Sequence, residues 1–179
     1  MIKKSTTVAM GGVSSALCLL CMFLTGVFPF ATFALPAIAG MILISVVVEN
    51  GYKVATTVYT AVSILSVFIV PDREAAMMFI GFFGYYSIIK GKIDKLKFKL
   101  IKLIVKFAIF NTAVIVVYTI IIYFFGMTDI IEEIPAFGEY SLLVMLLMGN
   151  VVFVVYDIAL TRVATAYIYW FRPKFLRKF

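Results

Sequence analysis

The sequence predicts an all-α, polytopic membrane protein of six transmembrane helices with both termini cytoplasmic. Three observations carry that expectation. First, 64% of the 179 residues are hydrophobic and only 14% are charged, against about 45–50% and about 25% in soluble domains. Second, apolar runs of spanning length recur along the chain. Third, the charges are sorted: on this topology fifteen of the sixteen Lys and Arg fall inside and six of the nine acids fall outside. Short loops rich in Lys and Arg stay cytoplasmic. The formal net charge of +7 therefore reports topology, and its cations sit beside apolar spans, so nucleic acid is not an expected partner.

The basic Met1–Thr7 segment leads into the first span, 8–28. Its 21 residues reach about 31 Å at 1.5 Å per residue, enough to cross. Gly11, Gly12, Ser15 and Ala16 form small-x-x-x-small pairs, Gly11/Ser15 and Gly12/Ala16, which let a second helix approach closely in lipid. That helix belongs either to this chain or to a separate subunit. Cys18 and Cys21 have C-x-x-C spacing, but they lie within an apolar run with no second ligand pair, so helix packing is the expected role.

The connector at 25–36 holds two prolines and three phenylalanines and no charge. Phe28, Phe30 and Phe33 serve either as interfacial anchors or as an apolar lid over an outer cavity. The second span, 31–49, and the third, 52–70, meet at Glu49-Asn50-Gly51, a turn signal. Next comes Asp72-Arg73-Glu74. Asp72 suits the N-cap of the fourth span, 75–90, with Glu74 at its positive dipole end. Arg73 is the cation placed outside, available for an anionic group. Phe79, Phe82, Phe83 and Tyr86 share one face of this helix. In a bilayer periodicity does not tell whether such a stripe faces protein or lipid.

Lysines 92, 95, 99, 102 and 106 repeat at helical spacing, with Ile93, Leu96 and Leu100 opposite. The expectation is an amphipathic interfacial helix, 91–105, held by anionic lipid or by a partner. It runs into the fifth span, 103–126, which carries Asn111, Tyr118 and Tyr123. An acidic outer loop follows, then the sixth span, 139–166, with Asn150 deep and Asp157 in its inner half. An aspartate there costs about 2.5–3.5 kcal/mol on insertion scales, so a partner is required. Arg162, Lys106 and Lys53 are the cations within reach.

The chain contains no histidine and no G-x-x-x-x-G-K-[ST] loop, so neither a Ser-His-Asp set nor P-loop hydrolysis is available. Nothing builds an enzyme or calls for a cofactor or metal. A binding or interaction protein is the expected class.

Size, helix number, orientation and the Gly12-Val-Ser-Ser-Ala16 motif together resemble a substrate-binding S component of an energy-coupling factor (ECF) vitamin transporter. The family has Ala-x-x-x-Ala where this chain has glycine and alanine, which keeps the smallness. The resemblance implies docking of a transmembrane coupling subunit, driven by two ATPase subunits, on Gly11, Gly12, Ser15 and Ala16. It also implies capture of a small-molecule solute in the outer half, under Phe28, Phe30 and Phe33. By position the ligand set would be Asp72, Arg73, Glu74, Phe79, Phe82, Tyr118, Tyr123 and Asn150. The implied location is a bacterial plasma membrane, with anionic lipid as a further partner. The alternative is a non-catalytic scaffold similar to rod-shape-determining membrane proteins, which needs no pocket.

Overall fold

A computed structural model describes residues 4–125 and 141–175, with side chains described for 5–124 and 146–174. Every regular element among these residues is helical, and four helices are long and apolar enough to cross a membrane: Ser5–Gly26, Ala34–Ile69, Lys99–Phe124 and Leu146–Lys174. The exterior is correspondingly apolar, with Val8, Phe68, Phe124 and Val151 all exposed.

Helix α1 covers Lys4–Phe23. It gives way to a 3₁₀ turn, Leu24–Gly26, where the Thr25 hydroxyl donates to Met22 O at 2.7 Å. A second 3₁₀ turn, Pro29–Ala31, starts on proline, which has no N–H to leave unpaired. Helix α2 runs Ala34–Ile69 but is broken at Gly51, whose φ of 81° is non-helical. A side chain at Gly51 would meet open space, so glycine is required there by the backbone alone. A straight helix of 36 residues would separate its ends by about 54 Å. Instead the Thr32 hydroxyl, before the helix, donates to Asp72 Oδ2, after it, at 2.9 Å. The two halves, 34–50 and 52–69, therefore double back at Gly51. Helix α1 packs on both: the Cys18 thiol donates to Ala39 O at 3.3 Å, and Gly11 lies against Val58.

Val70 is extended, as a residue before proline prefers, and Asp72 caps α3, Arg73–Met78, by accepting from Ala75 N at 3.1 Å. A π-helical turn, Phe79–Phe83, joins α3 to α4, Gly84–Ile93. Such a turn weakens the regular backbone bonding, and side chains satisfy the carbonyls around it. The Tyr59 hydroxyl donates to Ile80 O at 2.6 Å, while the Ser87 and Tyr156 hydroxyls donate to Phe83 O at 2.9 and 3.2 Å. Glycines let neighbours reach this turn: a Cβ on Gly84 would lie 2.6 Å from the Tyr59 ring, and one on Gly40 2.5 Å from Phe83 O.

The interfacial helix expected over 91–105 does not form. Helix α4 ends at Ile93, and residues 94–98 make a turn before α5, Lys99–Phe125. The reason is electrostatic. A continuous helix would hold Lys90 and Lys106 about 24 Å apart, yet both ammonium groups contact Asp94, at 3.1 and 2.8 Å. Helix α6, Ser141–Ala166, ends in a π turn, Tyr167–Phe171, and a short α7, Arg172–Phe175. The Arg172 Nε lies 3.0 Å from the buried Glu49 Oε1, a charge contact without hydrogen-bond alignment. The expected outer acids Asp129, Glu132, Glu133 and Glu139 lie outside the described residues.

Candidate functional site

Tyr86, Lys90 and Asp94 recur every fourth residue, so one side of α4 and the residue capping its C-terminus present a phenol, an ammonium and a carboxylate in line. Across from them stand Lys106 of α5 and Asp157 of α6. The Lys90 ammonium lies 2.6 Å from Asp157 Oδ1 and 3.1 Å from Asp94 Oδ2. The Lys106 ammonium lies 2.8 Å from each of Asp94 Oδ1 and Asp157 Oδ2. The Tyr86 hydroxyl donates to Asp157 Oδ1 at 2.7 Å. Both lysines are buried, at 6% and 7% exposure. Two cations and two anions thus alternate around a closed ring and cancel one another. Burial pushes the Asp94 carboxyl up, but hydrogen bonds from Lys106 and Lys90 outweigh it and hold the group below the usual carboxylate range.

Such a ring has no spare charge for acid–base work. What it does is fix three helices together: removing one partner would leave a buried charge uncompensated. Of the three cations considered for Asp157, Lys106 is used, whereas Lys53 and Arg162 are exposed. Lys90, Asp94 and Tyr86 were not singled out from the sequence as its partners. Their four-residue spacing was the available signal.

Above the ring, away from the lysines, the centre is filled by rings. Phe79, Phe82 and Tyr86 are fully buried. Phe82 packs at 5.0–5.9 Å against Phe83, Tyr86, Phe110, Phe153 and Tyr156. Phe79 and Phe82, expected in a ligand set, are therefore core residues here. Asn150 is also engaged: Asn111 and Asn150 exchange amide hydrogen bonds at 3.0 and 3.1 Å.

The remaining candidates cluster loosely at the opposite end. Asp72 holds Thr32 and the start of α3. The Tyr118 hydroxyl donates to Glu74 Oε1 at 2.7 Å. The Arg73 guanidinium donates to Val67 O. Phe28, Phe30 and Phe33 are exposed, with Phe28 and Phe30 in edge contact at 5.8 Å, and Tyr123 is 86% exposed. The structure thus brings Thr32 to Asp72 and Tyr118 to Glu74, and does not gather the whole expected set around one cavity.

Open grooves mark the surface of the described residues. One, about 240 Å³, is lined by Thr7, Gly11, Gly12, Ser15, Val54 and Val58 among others. Within it Gly11 is taken up by packing on Val58, whereas a Cβ on Gly12 meets nothing within 4 Å. Ser15 turns its hydroxyl back to Gly11 O at 2.9 Å, and Ala16 is exposed. The second groove, about 430 Å³, lies between α4 and α5.

No family model, curated protein or solved structure matches this chain.

Proposed function

We propose that the chain crosses a bacterial plasma membrane six times, with both ends cytoplasmic, and acts there as a non-catalytic assembly subunit. The doubled-back α2 supports the crossing number, because it supplies two passes where hydropathy and length alone mark one helix, and the continuous run of α3, π turn and α4, Arg73–Ile93, adds the sixth. Orientation is supported by charge. Lys53, Lys90, Lys106 and Arg172 gather at the end bearing the 94–98 turn, and Arg73 lies at the other, the bias expected for a cytoplasmic lysine end.

The observation that carries an assembly role is the packed centre: Phe79, Phe82 and Tyr86 occupy the space between helices that a solute would need. One face left free is that of α1, where Gly12 and Ala16 stand open beside a shallow groove. Small residues at that spacing favour close helix approach in lipid. A partner transmembrane helix is the occupant this reading names.

A second reading keeps the S component-like role: capture of a small-molecule solute from outside and delivery through a coupling subunit and two ATPase subunits. The polar pairs Thr32–Asp72 and Tyr118–Glu74 favour it, since they sit near the exposed aromatic connector at the outer end.

Purification of the full chain from native membranes separates the two. Stoichiometric ATPase subunits in the complex would support the transporter reading. Membrane partners without them would support the scaffold. Gly12→Leu is expected to reduce partner recovery severalfold with melting temperature unchanged. Unchanged recovery would overturn docking through α1 in either reading.

A further inference from the structure

The groove between α4 and α5 is lined by Gly81, Tyr85, Ala108, Ile109, Thr112 and Val116, with Ala113 at its floor. It is formed because small residues stand where larger ones would fill it, and Ala108, Thr112 and Val116 are exposed at its edge. On α5 the face is continuous: Lys102, Val105, Ile109, Thr112 and Val116 follow at alternating steps of three and four, a single stripe. On α4, Tyr85 and Lys92 are seven residues apart and share a face. Both stripes that line the groove therefore end in a lysine, at the same end of the protein.

The depth matches a lipid chain. From Lys102, Ala108 lies about 9 Å and Val116 about 21 Å along the helix, bracketing the roughly 15 Å half-thickness of the hydrocarbon layer. The two ammonium groups are positioned but not neutralised. Lys92 Nζ lies 4.8 Å from the centre of the Tyr52 ring, and Lys102 Nζ donates to Asp94 O at 2.7 Å. Neither forms an ion pair with a carboxylate among the described residues, unlike Lys90 and Lys106. An ammonium carries three donors, so each retains capacity for an anion.

We infer that this groove is a binding site for one anionic phospholipid, its acyl chain lying along Ile109, Thr112 and Val116 and its phosphate held by Lys92 and Lys102. The site rests on the membrane-spanning reading above but not on either assembly role. It differs from general attraction to a charged surface, which would draw equally on Lys95 and Lys97 in the exposed turn.

The test is native mass spectrometry of the purified full chain. The protein is incubated with palmitoyl-oleoyl phosphatidylglycerol or with phosphatidylcholine bearing the same chains. Two lysines near a headgroup predict about a thirtyfold preference for the anionic lipid. Lys92→Gln/Lys102→Gln should bring retention of phosphatidylglycerol down to that of phosphatidylcholine, and Lys95→Gln/Lys97→Gln should leave it unchanged. Ala108→Phe/Thr112→Phe fills the groove from exposed positions, so folding is retained, and should lower phosphatidylglycerol retention at least tenfold. Equal losses from the two lysine pairs would reduce the site to nonspecific attraction and overturn it. So would full retention in the Phe variant. A chain that fails to enter vesicles at all would overturn the membrane reading instead.

Discussion

Replacing Asp157 by leucine removes one of the two anions from a ring that holds Lys90 and Lys106 at 6% and 7% exposure. Asp94 then faces two ammonium groups alone, 3.1 and 2.8 Å away, and the ring carries a net positive charge. Breaking a buried ion pair from one side costs about 3–5 kcal/mol. The Asp157 side chain keeps 20% exposure, and solvent screening places the expected loss at the lower end, about 3 kcal/mol. For a chain of this length that is a fall of about 6–12 °C in melting temperature, read by intrinsic fluorescence in mild detergent. The double variant Asp157→Leu/Lys106→Leu leaves Lys90 paired with Asp94 and the ring neutral. Because well-packed apolar replacements of buried pairs are often neutral, it should recover most of the loss, short of about 1 kcal/mol for the orphaned Tyr86 hydroxyl. A single-variant shift under about 2 °C, or a double variant as unstable as the summed singles, would refute the ring as a coupled unit.

Three further outcomes can be checked in the same assay. Gly40→Ala puts a methyl 2.5 Å from Phe83 O and 2.6 Å from the Tyr156 hydroxyl. It should cost about 1–3 kcal/mol, and a parental melting temperature would contradict that close approach. Asn150→Leu should destabilise more than Asn111→Leu/Asn150→Leu, because the single change strands one amide of a reciprocal pair. The expected coupling of about 0.6–1.7 kcal/mol comes from a double-mutant cycle, and strict additivity would count against it. Asp94 has a depressed carboxyl pKa, so its stabilisation is complete above the ordinary value of about 3.9 and fades as pH falls through the lower native one. The melting difference between the parent and Asp94→Asn should therefore hold from neutral pH to about pH 4 and shrink below it. A difference that instead grows on acidification would reverse the sign of the argument.

Hydropathy and charge made the helical, membrane-suited character legible, and Asn50-Gly51 gave the position of the fold-back in α2. Asp72 was readable as a cap because its chemistry is local: it accepts from Ala75 N, three residues on. What could not be read was anything that depends on tertiary phase. Lysines spaced at three and four read as one face of a continuous interfacial helix. The turn at 94–98 breaks that phase and folds Lys90 and Lys106 toward each other, leaving Lys92 and Lys102 on the outside. The aromatic connector at 25–36 reads equally as an interfacial anchor or as a lid, and Phe30 is 88% exposed. Apolar loops in a membrane protein lack the polarity that separates covering from anchoring.

The direction of the aromatic face on the fourth predicted span was nonetheless encoded, in its charges. Lipid and protein interior are both apolar, so Phe79, Phe82 and Phe83 alone are indifferent to which they meet. Tyr86 is not, and neither are Lys90 and Asp94 at the next two steps along the same face. A lysine held this close to a span needs a counter-charge, and the sixth span offers Asp157. Once Lys90 must reach Asp157, the face it shares with Tyr86 has to turn inward, and the phenylalanines turn with it. The π turn at Phe79–Phe83 widens that face, which is why four aromatic side chains from one short helix can all be buried. On this account the ion ring orients the helix and the aromatic packing follows from it. The order of cause makes Lys90, with no role in any binding reading, the residue on which the closed centre depends.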